Sequence, residues 1–91
     1  MKTIRIWKGE KYRNWGKYEI CEFTGRKIGY KKDVDKNDAR YYTVYRAYET
    51  EDGAFVVHRV CVAPLDDGVE ATIFFHDSLE DTVGWDGLIP R

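Results

Sequence analysis

Two Asp-Gly dipeptides, Asp52-Gly53 and Asp67-Gly68, divide the second half of this chain into three runs rich in Tyr, Val, Ile and Phe. The runs cover residues 40–50, 54–63 and 69–76, and each alternates between two kinds of side chain. Asp-Gly between such runs is a strong hairpin signal, because a two-residue turn needs backbone that glycine and aspartate tolerate. A three-stranded antiparallel meander follows. With each dipeptide as the central pair of a two-residue turn, the register is set and the strands sort into two faces. One face carries Tyr45, Ala47, Val56, Val60, Val62, Ile73 and Phe75 and reads as core. The other carries Tyr42, Arg46, Tyr48, Arg59 and His76, interspersed with Val44, Val57, Cys61 and Phe74.

The first half adds shorter strands. Residues 3–8 and 17–23 alternate, Gly25 reads as a tight turn into a short strand at 27–31, and the polar stretch 31–38 reads as a loop. After residue 77, Asp77 or Ser78 can cap a short helix that Gly84 stops. The expected fold is mostly β with one short C-terminal helix. Its single antiparallel sheet has five or six strands, curled or barrel-like, in one domain spanning residues 1–91.

Composition narrows the chemistry. His58 and Cys61 lie three apart, which on a strand points them to opposite faces, so they cannot share a metal ion. The acids of 66–86 lack the spacing of a calcium loop, and the eight glycines form no phosphate cradle. No catalytic residue, metal site or cofactor is expected. No apolar run is long enough to cross a bilayer, and the first residues lack the features of a secretory signal. With two cysteines and no disulfide framework, the expectation is a cytoplasmic protein without membrane attachment.

Charge is distributed unevenly. Residues 1–36 hold eleven Lys and Arg against five Asp and Glu, whereas residues 37–91 hold four against eleven. Such a split suits a binding protein, or self-association as a homodimer through complementary patches. The leading expectation is a non-catalytic protein–protein interaction module, a regulator or inhibitor of the kind mobile elements carry. It would use Tyr42, Arg46, Tyr48, Arg59 and His76, since Tyr and Arg dominate interface hot spots. On the two-residue turn Arg46 faces Arg59, and two opposed arginines call for a carboxylate or phosphate. The alternative partner is nucleic acid or a phosphorylated ligand. Its contacts would come from the paired Arg46 and Arg59 and from Arg5, Trp7, Lys11, Arg13, Trp15 and Lys17, where aromatic and basic residues interleave as in single-strand binders.

Overall fold

The computed structural model describes residues 1–12, 15–63 and 68–77. They form five strands: β1 (Lys2–Tyr12), β2 (Gly16–Val34), β3 (Tyr42–Thr50), β4 (Phe55–Ala63) and β5 (Gly68–His76). Each strand pairs antiparallel with the next, and β5 returns to β1, so one sheet closes into a ring. The closure is uneven. β1 pairs with β2 from Lys2 to Lys11 but with β5 only over Gly9–Tyr12. The helix expected after residue 77 lies outside the described residues.

Gly25 does not turn the chain. β2 runs straight through it, pairing with β1 before it and with β3 after it. At Gly25 both neighbours meet, with Lys2 on one side and Thr50 on the other. A Cβ there would collide with the Glu49 carbonyl oxygen and crowd the Phe23 ring. The missing side chain therefore lets one long strand serve two partners in succession, as strands do at the corners of folded sheets. A register shift between Lys27 and Gly29 follows, a bulge that sets Ile28 apart from the ladder.

The Asp52-Gly53 turn is where expected, but its loop is one residue longer than the two-residue reading allows. The Thr50 N–H donates to the Ala54 carbonyl at 2.9 Å, and the Gly53 N–H donates to the Thr50 carbonyl at 3.0 Å. Glu51, Asp52 and Gly53 thus form a three-residue loop, with Gly53 in the left-handed region at φ 85°. The Thr50 hydroxyl stabilises it by accepting the Ala54 N–H at 3.1 Å. The extra residue moves the register by one: Tyr48 pairs with Val56, Arg46 with His58 and Tyr45 with Arg59. Every β4 side chain therefore changes face relative to β3. In the second hairpin Ala63 pairs with Gly68, so residues 64–67 lie between the strands and Asp67-Gly68 is not the centre of a two-residue turn. This even displacement leaves the relative faces of β4 and β5 as expected.

The core changes accordingly. Inside the ring, Ile4, Ile6, Tyr48 and Val56 pack together with Cys21, Phe23 and Ile73 against them. On the other side of β3 and β4, Ala47 and Val57 are fully buried among Ile28, Tyr45 and Phe74. Phe75, expected in the core, is 66% exposed. It lies along β5 beyond Ala71, where β1 no longer pairs. Val56 and Val57, adjacent in sequence, are buried on opposite faces, which makes the centre of this sheet apolar on both sides. Each such burial contributes about 1.5–3 kcal/mol.

One polar group enters this interior. His58 is buried, and its Nε2–H donates to the Trp7 carbonyl at 2.7 Å, tying β4 to β1 although the two strands do not pair. The accepting carbonyl fixes the proton on Nε2. Burial pushes the His58 pKa down; the Trp7 carbonyl pulls it up, and Arg46 pushes it down further.

Two outcomes test this architecture. Gly25→Ala forces a methyl into backbone and should cost about 1–3 kcal/mol, read as a lowered denaturation midpoint. An unchanged midpoint would mean that β3 does not crowd this position. His58 is held neutral in the fold, whereas the unfolded chain takes up a proton near the ordinary value of 6.5. Its contribution is thus complete above that value and is lost as pH falls below it toward the depressed folded pKa. Thermal melts from about pH 7.5 down to about pH 5 should show decreasing stability. His58→Gln, which keeps an N–H donor for Trp7, should flatten that decline.

Candidate functional site

The register divides the five residues Tyr42, Arg46, Tyr48, Arg59 and His76 between the two faces. Tyr42, Arg46 and Tyr48 share the side that faces into the ring, and Arg59 and His76 lie on the other. Tyr48 is buried with its ring edge-on to Phe23 at 5.6 Å, and burial raises its pKa. It belongs to the core. Arg59 sits beside Tyr45 with its guanidinium 5.1 Å from the Phe74 ring. His76 pairs with Phe55 at the far end of β4, away from Cys61. Arg46 and Arg59 therefore do not oppose one another as the two-residue turn implied, and no anion is needed between them.

A different set converges around Tyr42 and Arg46. Because β2 continues to Val34, Tyr30, Lys32 and Val34 alternate onto the same side of the sheet as Arg46, Val44 and Tyr42, their partners in β3. Beyond the bulge, Lys27 pairs with Tyr48 on that side. The Lys32 ammonium lies 4.4 Å from the Tyr42 ring centroid. Tyr30 is approached by Lys27 at 4.9 Å and by the Arg46 guanidinium at 5.7 Å. Tyr30 is 48% exposed, and both lysines reach solvent.

The cations of the sheet differ in what they reach. Arg5, Lys8, Arg26 and Lys31 each reach a carboxylate, on Glu22, Glu19, Glu49 and Asp33 respectively. Lys31 also lies 5.9 Å from the Tyr45 ring centroid, whereas Lys27, Lys32 and Arg46 lie over rings with no carboxylate among the described residues within ion-pair reach. No Asp or Glu occurs on this side of β2, β3 and β4 from residue 27 onward among the described residues. The face is thus locally electropositive although the chain's net charge is −1. Tyr30, Lys27 and Lys32 are absent from the sequence-derived set, because 27–31 reads as a separate short strand with no assigned partner and 31–38 as a loop. Their signal is the period-two alternation Tyr30, Lys32, Val34, opposite the stronger pattern of β3.

The basic and aromatic residues of the N-terminal segment lie on the β1–β2 hairpin and do not form one surface. Arg5 is bound to Glu22 at 3.3 Å. Trp7 packs edge-on to Tyr18 and to His58, with ring centroids 6.1 and 6.4 Å apart. Lys11 lies 4.4 Å from the ring centroids of both Trp7 and Tyr18. Trp15 stacks on Tyr12 at 4.5 Å, and Lys17 stands opposite Glu10 on the other side of the hairpin. Arg13 lies outside the described residues.

A groove of about 620 Å³ separates the hairpin from β5, lined among others by Lys8, Glu10, Lys17, Glu19 and Ile73. Its charges offset one another, with Lys8 on Glu19 at 3.6 Å and Glu10 opposite Lys17. His58 and Cys61 fall on opposite faces, as their spacing requires. No group of three His, Cys, Asp or Glu side chains is placed to hold a metal ion among the described residues. No helix among them is long and apolar enough to cross a membrane.

Comparison with protein-family models, curated proteins and solved structures finds no match for this chain.

Proposed function

We propose that this chain is a non-catalytic binding domain whose β2–β3 face holds single-stranded nucleic acid. One observation carries the reading: Lys27, Lys32 and Arg46 lie over the rings of Tyr30 and Tyr42 on a face without carboxylates among the described residues. Single strands are held by this combination, in which cations follow the phosphates and aromatic rings take the bases. The two rings occupy different steps of one ladder, since Tyr42 pairs with Val34, four residues beyond Tyr30. At roughly 3.3 Å per residue they stand about 13 Å apart along the strand, so each can take a separate base. A protein partner on a joint Tyr42, Arg46, Tyr48, Arg59 and His76 surface has less support, because that set is split between two faces.

Fluorescence anisotropy with a labelled oligothymidylate or oligouridylate of about eight nucleotides tests the proposal. Affinity should fall steeply with salt, and replacing both Lys32 and Arg46 by Ala should weaken binding. It should also reduce the log–log salt slope by about 1.4, or about 0.7 for each phosphate that the variant no longer neutralises. Tyr30→Ala should cost about 1–3 kcal/mol of binding while leaving that slope unchanged. Binding that ignores salt, or a Lys32/Arg46 variant indistinguishable from wild type, would reject the reading.

A further inference from the structure

Beyond nucleic-acid binding, we infer that two copies of this chain pair through the free edge of β2, residues 17–23, antiparallel about a twofold axis at Ile20. A strand has two edges, and the first half of β2 uses only one. Gly16–Gly25 pair with β1, whereas pairing with β3 begins at Gly25 and continues to Val34. The Glu51 N–H closes the corner by donating to the Thr24 carbonyl at 2.9 Å. From Phe23 back to Lys17, no strand among the described residues takes up the second edge. At roughly 3.4 Å per residue, about 24 Å of strand edge stays open there, a template for another strand. Nothing on that edge turns a strand away. It has no proline, and its register with β1 runs unbroken from Gly16 to Gly25. Its charges are occupied across the ribbon, with Glu19 on Lys8 at 3.6 Å, Glu22 on Arg5 at 3.3 Å and Lys17 opposite Glu10. The side of the ribbon away from Ile4 and Ile6 is apolar at its middle. Ile20 is 51% exposed and Tyr18 50%, and Trp7 stands opposite Ile20.

The occupant is a second copy because the edge fits itself. In a twofold antiparallel pair, opposed residues share a side of the sheet, and an axis at Ile20 sets it against the partner's Ile20. Tyr18 then meets the partner's Glu22, whose carboxylate can accept from the tyrosine hydroxyl. Glu19 meets the partner's Cys21 and Lys17 the partner's Phe23, so no like charges are opposed. Other axes fit less well. At Glu19 the axis would oppose two carboxylates, and at Cys21 it would set Ile20 against the partner's Glu22. At Tyr18 it would carry residues 21–23 past the start of the partner's strand at Gly16. The axis at Ile20 covers the exposed Ile20 and brings Tyr18 diagonally beside the partner's Ile20.

Sedimentation or light scattering over a dilution series tests the pairing. The mass should rise with concentration from 10.7 kDa toward twice that value. Ile20→Lys opposes two ammonium groups at the axis and should weaken association by about tenfold or more, as should Ile20→Glu. Mixing the two variants should restore association, because opposite charges then meet at the axis. In wild type, amide exchange at residues 17–23 should slow as concentration rises, a readout that needs no variant. A chain that stays monomeric throughout the series would overturn the inference. So would exchange at 17–23 that ignores concentration, or a dimer that both variants leave intact. Binding of nucleic acid is tested separately, since Ile20 precedes Gly25 and lies outside the β2–β3 face.

Discussion

The arrangement depends on the close approach of three strands at Gly25. β1 and β3 both need the edges of β2, and at Gly25 they claim it from opposite sides. A side chain would have to displace the Glu49 backbone, so its absence lets β2 leave one partner and take up the next without breaking. From this handover come the folding of the sheet back on itself, the enclosure of Ile4 and Ile6 against Val56, and the continuation of β2 to Val34. The electropositive face exists because of that continuation. Had the chain turned at residue 25, Tyr30 and Lys32 would not lie beside Arg46 and Val44.

Much of the fold is legible in the residues themselves. Period-two alternation locates β3, β4 and β5 to within two residues, and Asp52-Gly53 marks a turn in which Gly53 has the positive φ expected of it. What dipeptide chemistry leaves open is how many residues the loop contains. Asp-Gly serves a two-residue turn and a three-residue loop alike, and the choice lies with Thr50, whose hydroxyl accepts the Ala54 N–H. Because strand side chains alternate, that one residue transfers Arg59 and His58 across the sheet. Of the proposed face, Tyr42 and Arg46 could be read in advance. Lys27, Tyr30 and Lys32 could not, because a short strand at 27–31 followed by a loop does not reveal that β2 continues to Val34 and pairs with β3.

The division of cations between carboxylates and rings has a simple electrostatic basis. A lysine over a tyrosine is attracted by the ring quadrupole, an interaction of about 0.5–1 kcal/mol at exposed sites. A carboxylate would neutralise the lysine's field, whereas a ring leaves its charge intact. Lys31 and Lys32 illustrate the difference, since they are adjacent in sequence but point to opposite sides. Lys31 reaches Asp33 at 3.7 Å as well as the Tyr45 ring at 5.9 Å, and Lys32 meets Tyr42 alone on a side without acids among the described residues. Alternation along one strand thus sorts a run of like charges into one half beside carboxylates and one half without them among the described residues.

The seam between β1 and β5 bears on how the molecule is made. It unites the first and last strands through four residue pairs, whereas β1 and β2 share ten. Bringing such distant segments together carries the largest loop-closure entropy in the ring, so local hairpins have an advantage in time. During synthesis the β1–β2 hairpin can assemble at once, but Ile4 and Ile6 must await Val56 on β4 before they are enclosed. The chain therefore passes through a stage with an open sheet and an exposed apolar flank. A second nascent chain could supply the missing strands at that stage, so the rate at which β4 and β5 follow limits exposure to misassembly.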